Sequence, residues 1–548
     1  PQPLRFVIRV PFCTRLCDWS RRLYSHRCAW DQLIPPDAAF VSGSWIKAIS
    51  GKTFPVLNPA NGTLLRSIPS MSAHEVQLAI ASAKPTQKMW AKIPANERAG
   101  IIRRWADAIR EHQEVLAHLI TAENGKTIAD ARVEVSASFG ALEWYAEEAK
   151  RTYGSFVPAI HVANRRQLVH HQPVGVVGVI TPWNFPLAMI TRKVGAAIAA
   201  GCAVVLKPAE DTPLSVLAVT SAKLPAGLLQ IITASRDDAE QVGNELCINP
   251  GVRLIGFTGS TAVGKMLYAK AAAYGKRALL ELGGNAPFLV FQSANLDRAV
   301  AGAVACKFRC SGQTCVSANR IFVQDTIYDE FVRRLSAAVS SLIMGDGSLP
   351  ETKLGPLINK AAVHKASCPT SQAHLFNLKT KHAIRRVISL PACFILQKVH
   401  NLVESAKNSG AKAVVGGTLP NAGKFAEGCF YPATVLTECA PNMACVDNEI
   451  FGPVASVIRF RSEAEVIDLA NSTPYGLAAY LYTQEIRQAW HVAEQLQFGM
   501  VGVNSPRVSS IEMPFGGIKD SGIGREGGQH SLIEFMDVKT ISWDLDSA

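Results

Sequence analysis

No stretch of this 548-residue chain has the length and freedom from proline that a membrane-spanning helix needs. The longest informative charge-free run, residues 167–191, contains Pro173, Pro182, Pro186 and the polar Asn184. The cysteines are odd in number, thirteen, and show no C-x-x-C spacing. That excludes a disulfide framework or a zinc site, so no metal is expected, and a reducing compartment is. The 40 glycines and 30 prolines have no period, which excludes collagen-like and low-complexity classes. With 48% apolar residues the chain can build a large core, and its length calls for more than one domain.

Acidic residues are in the minority, 44 against 56 basic, a net charge of +12. Much of the excess is local. The first thirty residues hold six arginines (Arg5, Arg9, Arg15, Arg21, Arg22, Arg27) and one acid, Asp18. An Arg-rich, acid-poor, Ser-containing N-terminus reads as a mitochondrial transit peptide, assigned to 1–37, with the matrix as destination. A second basic segment, 366–397, has four basic residues, no acid, and Pro369 and Pro391. It interrupts what otherwise reads as one helix and reads as a retained intron, the alternative being a genuine surface loop. No nucleic-acid motif accompanies the charge, so no nucleic-acid partner is expected.

Residues 95–150 read as helices, with Ile101, Ile102, Trp105 and Ile109 at helical spacing. Short β-branched apolar runs follow at 174–180, 203–206, 229–233 and 254–257. Helical segments at 188–200, 214–223, 239–246 and 263–273 separate them. Alternating strands and helices predict a doubly wound parallel sheet, with ligands beyond the strands' carboxyl ends. A second α/β stretch begins near Gly284 and passes residue 500.

Two motifs mislead. Gly259-Ser260-Thr261-Ala262-Val263-Gly264-Lys265-Met266 nearly matches a phosphate loop, but Met266 cannot replace the magnesium-holding hydroxyl. What remains is a strand, a glycine turn and a helix start, which suits a pyrophosphate without metal. Gly522-Ile523-Gly524-Arg525-Glu526-Gly527 is a literal G-x-G-x-x-G, yet too few residues follow for a βαβ unit. It is rejected as a dinucleotide fingerprint.

The informative run is Gly312-Gln313-Thr314-Cys315, with Glu281-Leu282-Gly283-Gly284 and Pro182-Trp183-Asn184-Phe185-Pro186 as chemical partners. A thiolate, a carboxylate and an amide donor suffice for covalent acyl chemistry: attack on a carbonyl, oxyanion stabilisation and activation of water. Beside a dinucleotide-type sheet, they point to aldehyde oxidation.

These stretches, with Lys207-Pro208-Ala209-Glu210, Phe257-Thr258-Gly259-Ser260, Glu449-Ile450-Phe451-Gly452-Pro453 and Pro514-Phe515-Gly516-Gly517, resemble the aldehyde dehydrogenase superfamily from about residue 40 to 540. Within it the chain is most similar to the succinate-semialdehyde dehydrogenases. The resemblance implies a Rossmann-type NAD-binding domain (38–152 and 175–283), an α/β catalytic domain (284–520) and a small β oligomerisation arm (153–174 and 521–548), assembled as a dimer or tetramer. It implies Cys315 as nucleophile, Glu281 as general base and Asn184 in the oxyanion hole. Thr181, Pro182, Trp183, Lys207, Pro208, Ala209, Glu210, Gly259, Ser260, Thr261, Gly264, Glu449 and Phe451 would hold the cofactor. Glu210 should repel a 2′-phosphate, so NAD is expected in preference to NADP.

Arg192, Arg309 and Ser509 fall on the positions that hold a substrate carboxylate in the resemblance. Guanidinium groups pair with carboxylates in bidentate fashion. The expected substrate is a small aldehyde with a distal carboxylate, succinate semialdehyde in 4-aminobutyrate breakdown. Another carboxylated semialdehyde, a broad aliphatic range and a catalytically impaired relative remain alternatives. Three departures stand out. Ser317 replaces a second cysteine, which removes a redox pair; the crossover 214–231 is short; and 366–397 is extra.

Overall fold

The computed structural model describes residues 30, 33–35, 37–220, 224–359, 395–420 and 423–545. Most of the proposed presequence, 1–29 above all, and nearly all of 366–397 lie outside them. Five central segments form a parallel sheet in the spatial order Arg277–Glu281, Val252–Thr258, Val176–Ile180, Ala203–Lys207, Leu229–Ile231. Ala203–Lys207 is buried throughout and Val176–Ile180 nearly so, which is why both are almost continuously apolar. Helices Ala188–Ala199, Leu214–Ala218, Ala239–Ile248 and Thr261–Ala273 make the crossovers.

Two boundaries differ from expectation. The helix predicted over 214–223 ends at Ala218, where β-branched Val219 and Thr220 turn the chain towards Leu229. Gly522–Ile523 belongs to the first sheet, antiparallel against Leu280 and Glu281. Only Met536–Asp544 of the C-terminal region therefore joins the small three-stranded sheet with Arg165–Pro173 and Ser155–Pro158.

The second large sheet has the order Lys412–Val415, Thr434–Thr437, Val454–Phe460, Ala318–Gln324, Ala286–Val290, Ala478–Tyr482, Met500–Val503. Only its first pair is antiparallel. The helix Ile395–Asn408 starts beside the end of the preceding described segment, the Ile395 N–H donating to Asn359 Oδ1 at 3.2 Å. Asn359 and Ile395 thus lie side by side. No described helix is long and apolar enough to cross a membrane.

Candidate active site

Glu281 is the last residue of strand Arg277–Glu281, and Asn184 lies in the loop beyond Val176–Ile180. Both come from carboxyl ends of the first sheet, where a doubly wound fold collects ligands. Cys315 reaches them from the second α/β unit. The turn before it, Cys310, Ser311 and Gly312, has three successive positive φ values of 50°, 54° and 73°. At Gly312 a Cβ would sit 2.1 Å from the Gly452 carbonyl oxygen, so only glycine fits. At Gly284 a Cβ would sit 2.2 Å from the Cys315 carbonyl oxygen. That close approach explains why a glycine at 284 accompanies the Gly-Gln-Thr-Cys run.

The Asn184 side-chain Nδ2 donates to Gln313 O at 3.0 Å, which points the amide at the loop carrying Cys315. Its backbone is held from below. Lys126 Nζ donates to Asn184 O at 2.7 Å and pairs with Glu134 Oε2 at 2.5 Å, both side chains fully buried. Glu134 Oε1 accepts the Leu187 and Ala188 N–H groups, 2.9 and 3.2 Å, at the start of the helix that carries Arg192. Cys310 lies behind Asn184, its thiol 3.7 Å from Asn184 O. Ser317 is buried and its hydroxyl donates to Lys307 O at 3.5 Å.

Neither Glu281 carboxylate oxygen has a hydrogen-bond partner among the described residues. Burial raises its pKa well above the ordinary carboxylate value, and the nearby Glu526 adds to the effect; Lys193 and Arg192 oppose it. Glu526 and Lys193 form a fully buried ion pair. Burial pushes the Cys315 thiol up to about 12, with Glu281 and Glu449 contributing and Arg192 opposing. Burial thus favours the neutral form of both groups, and each negative charge nearby adds to that preference.

Arg192 Nη2 donates to Ser509 Oγ at 3.1 Å, and the guanidinium lies 4.5 Å from the Phe515 ring centre. Arg192 Nη1 is buried without a partner among the described residues. Arg309 is more exposed and stands over Phe185 at 5.5 Å, the residue next to Asn184. The structure therefore joins Arg192 directly to Ser509 and puts Arg309 on the adjoining wall.

The cofactor candidates line the same sheet edge. Lys207 ends strand Ala203–Lys207, with Pro208, Ala209 and Glu210 directly after it. Ser260 caps the helix Thr261–Ala273, accepting from Val263 N, and Gly259 and Gly264 flank that start. The Thr181 hydroxyl and that of Thr258 are buried without partners among the described residues. Such orphaned groups, beside a helix N-terminus, fit a polar dinucleotide. Glu449 Oε1 accepts from Gly284 N at 2.9 Å, and Phe451 packs edge-on against Trp183, next to Pro182, at 5.5 Å. Glu449 thus stands between the Glu281 strand end and the cofactor edge. Among the described residues, no group of three potential ligands could hold a metal.

Sequence reasoning missed Lys126, Glu134, Lys193, Glu526 and Arg236. Glu526 sat inside the rejected glycine motif; the others had no local signal.

The aldehyde dehydrogenase family profile matches residues 45–374 and 395–541. The break between them falls within 366–397. The mitochondrial succinate-semialdehyde dehydrogenase of Arabidopsis thaliana is 45% identical over 91% of this chain and 88% of that protein. The NADP(+) succinate-semialdehyde dehydrogenase of Escherichia coli is 43% identical over 91% of this chain and 96% of its own length. The crystal structure of succinate-semialdehyde dehydrogenase from Burkholderia pseudomallei superposes with a TM-score of 0.85 at 41% identity, covering 94% of this chain and 99% of that one.

The expected preference for NAD over NADP does not stand, because a relative this similar is named for NADP(+). The physical reason is visible at Glu210. Its carboxylate is not an uncompensated charge: Lys207 Nζ lies 3.4 Å from Oε2 and Arg236 Nε lies 3.1 Å from Oε1. Burial opposes the charge, yet Lys207 and Arg236 hold the carboxyl below its ordinary value. A glutamate so neutralised repels a phosphate far less than a bare one.

Proposed function

Since the chain belongs to the aldehyde dehydrogenase family, we propose that it oxidises succinate semialdehyde to succinate with a nicotinamide dinucleotide, as a step in 4-aminobutyrate breakdown. The observation that carries the substrate reading is Arg192 Nη1, a buried cationic donor without a partner among the described residues, beside Ser509. A buried donor left unpaired is costly, and a substrate carboxylate would satisfy it.

In this reading Cys315 attacks the aldehyde carbon. The Asn184 amide and the Cys315 backbone N–H hold the resulting oxyanion. A bound dinucleotide would supply the acceptor for the hydride that leaves the former aldehyde carbon, and Cys315 then carries the acyl group as a thioester. Glu281 then takes a proton from water, which releases the acid. Lys207, Glu210, Ser260, Thr261 and Glu449 would hold the dinucleotide, with Phe451 and Trp183 beside its ring.

We place the enzyme in mitochondria, the matrix being the finer expectation, on the basic N-terminus and on relatives from plants and rodents named as mitochondrial. We also assign it to a homo-oligomer. The small sheet exposes Phe156, Val538 and Trp543 at 61%, 63% and 58%, more apolar surface than a lone arm keeps in water.

The test is a kinetic series of succinate semialdehyde, glutarate semialdehyde and hexanal. Arg192→Gln should lower kcat/KM for the carboxylated substrates by about 10- to 100-fold more than for hexanal. Equal kcat/KM for hexanal and succinate semialdehyde in the unaltered enzyme overturns the substrate assignment.

A further inference from the structure

Three side chains from separate parts of the chain crowd one glycine beyond the Glu281 strand end. A Cβ on Gly283 would lie 2.9 Å from Glu449 Oε2, 3.1 Å from Thr261 Oγ1 and 3.2 Å from the Tyr475 ring carbon Cε1. Thr261 opens the helix Thr261–Ala273, Glu449 follows the short helix Ala444–Asp447, and Tyr475 stands on a two-residue strand paired antiparallel with Ile518–Lys519. Ser521, fully buried, ties that strand to the same glycine. Its hydroxyl accepts from Gly476 N at 2.9 Å and donates to Gly283 O at 2.7 Å. Thr261 and Glu449 are cofactor candidates from the sequence; Tyr475 is not among them.

A threonine hydroxyl offers one proton and two lone pairs. At Thr261 one lone pair takes the Gly283 N–H at 3.1 Å. The proton goes to Asp520 O at 3.4 Å, a long bond. The Tyr475 hydroxyl is hydrogen-bonded to the same threonine, which leaves the phenol as the donor of that bond. Burial raises the Tyr475 pKa, with Glu449 and Asp520 adding to it, so the phenol keeps its proton at neutral pH. Both lone pairs of Thr261 are thus filled by the protein and its oxygen is fixed. Only its proton can be re-aimed, and exchanging a 3.4 Å contact for a shorter one costs little. A donor held next to a carboxyl oxygen matches a sugar hydroxyl, which gives one hydrogen and accepts another.

We propose that Tyr475 is a positioning residue of the cofactor cleft. By filling a lone pair of Thr261 it makes that hydroxyl a fixed donor, which together with Glu449 grips the ribose on the nicotinamide side of the dinucleotide. The assignment rests on the reading of this cleft as the dinucleotide site. The side follows from Phe451, which lies two residues after Glu449 and packs against Trp183. Lys207 and Glu210, at the end of another strand, are left for the adenosine half.

The experiment measures binding without turnover, so it is independent of the aldehyde. NADH and NADPH are titrated by fluorescence and the tighter binder is kept. ADP-ribose and ADP, or their 2′-phosphate forms, then compete with it. Tyr475→Phe keeps the ring and removes the donor. It should weaken the reduced cofactor and ADP-ribose by about 3- to 10-fold and change ADP by less than about twofold. Unchanged ADP affinity also shows that the variant is folded. In a Thr261→Val protein, adding Tyr475→Phe should weaken ADP-ribose no further, which a role in packing alone would not give. Unchanged ADP-ribose affinity in Tyr475→Phe, an equal loss for ADP, or fully additive losses with Thr261→Val would each overturn the assignment. An unaltered protein that binds neither reduced cofactor would overturn the reading of the cleft itself, and this assignment with it.

Discussion

Replacing Lys126 by methionine separates what the buried pair under Asn184 does for stability from what it does for catalysis. Lys126 is fully buried and meets Glu134, the Asn184 carbonyl and the Phe185 ring, whose centre is 4.0 Å from Nζ. Methionine keeps most of the volume but leaves Glu134 as an unpaired buried charge. Breaking such a pair from one side costs about 3–5 kcal/mol. For a domain of this size that corresponds to a fall in the first unfolding midpoint of roughly 6–20 °C. Asn184 also loses the donor that fixes its backbone. Its amide as an oxyanion donor is worth about 10²–10³ in kcat, so a misplaced one should cost roughly 10- to 100-fold. The double variant Lys126→Met, Glu134→Gln removes both charges. It should regain at least about 2 kcal/mol of the loss while kcat stays low, because Asn184 O keeps only the longer contact from the Cys310 thiol. Scanning calorimetry and steady-state kinetics on the three proteins decide it. An unchanged midpoint in the single variant, or full kcat in the double, refutes the reasoning.

The pH profile gives a second check. Release of product needs Glu281 ionised, so the rate should climb as pH rises through its elevated pKa. Glu526→Gln removes a negative neighbour and should move that limb to lower pH, whereas Lys193→Met removes a positive one and should move it higher; shifts in the same direction would count against this. Glu281→Gln should almost abolish turnover yet speed alkylation of Cys315 by iodoacetamide at pH values above the raised Glu281 pKa, where a negative charge opposing the thiolate is otherwise present. Slower alkylation, read by intact-protein mass, would show that Glu281 aids the thiolate instead.

The fold and three chemical groups were legible because each rests on a local pattern. β-branched runs bounded by glycine marked the strands at 176–180, 203–207 and 252–258. The turns around Gly284 and Gly312 need glycine, and so leave a sequence signature. The supporting charges were not legible. In the sequence Lys126, in a loop, and Glu134 and Lys193, on helices, look like any solvated residue, and only tertiary packing buries them. Lys193 and Glu526 are 333 residues apart, and no periodicity links them. Arg236 was missed for the same reason, and with it the compensation of Glu210 that undid the cofactor preference.

The electrostatics of Cys315 and Glu281 match the order in which their chemistry is needed. Each carries the other's charge as a penalty, so ionising both at once is the costliest state of the site. The proposed reaction never visits it. During attack Cys315 must be a thiolate, and Glu281 can stay protonated, as its burial favours. Once the thioester forms, sulfur carries no charge, and the obstacle to ionising Glu281 is lifted at the step that calls for a base. Burial is the main cause of the raised Glu281 pKa; Glu526 adds to it and Lys193 opposes it. A carboxylate with an ordinary pKa at this distance would oppose the nucleophile throughout the first half of the cycle. The buried, unbonded Glu281 is thus suited to the second half because it is silent in the first.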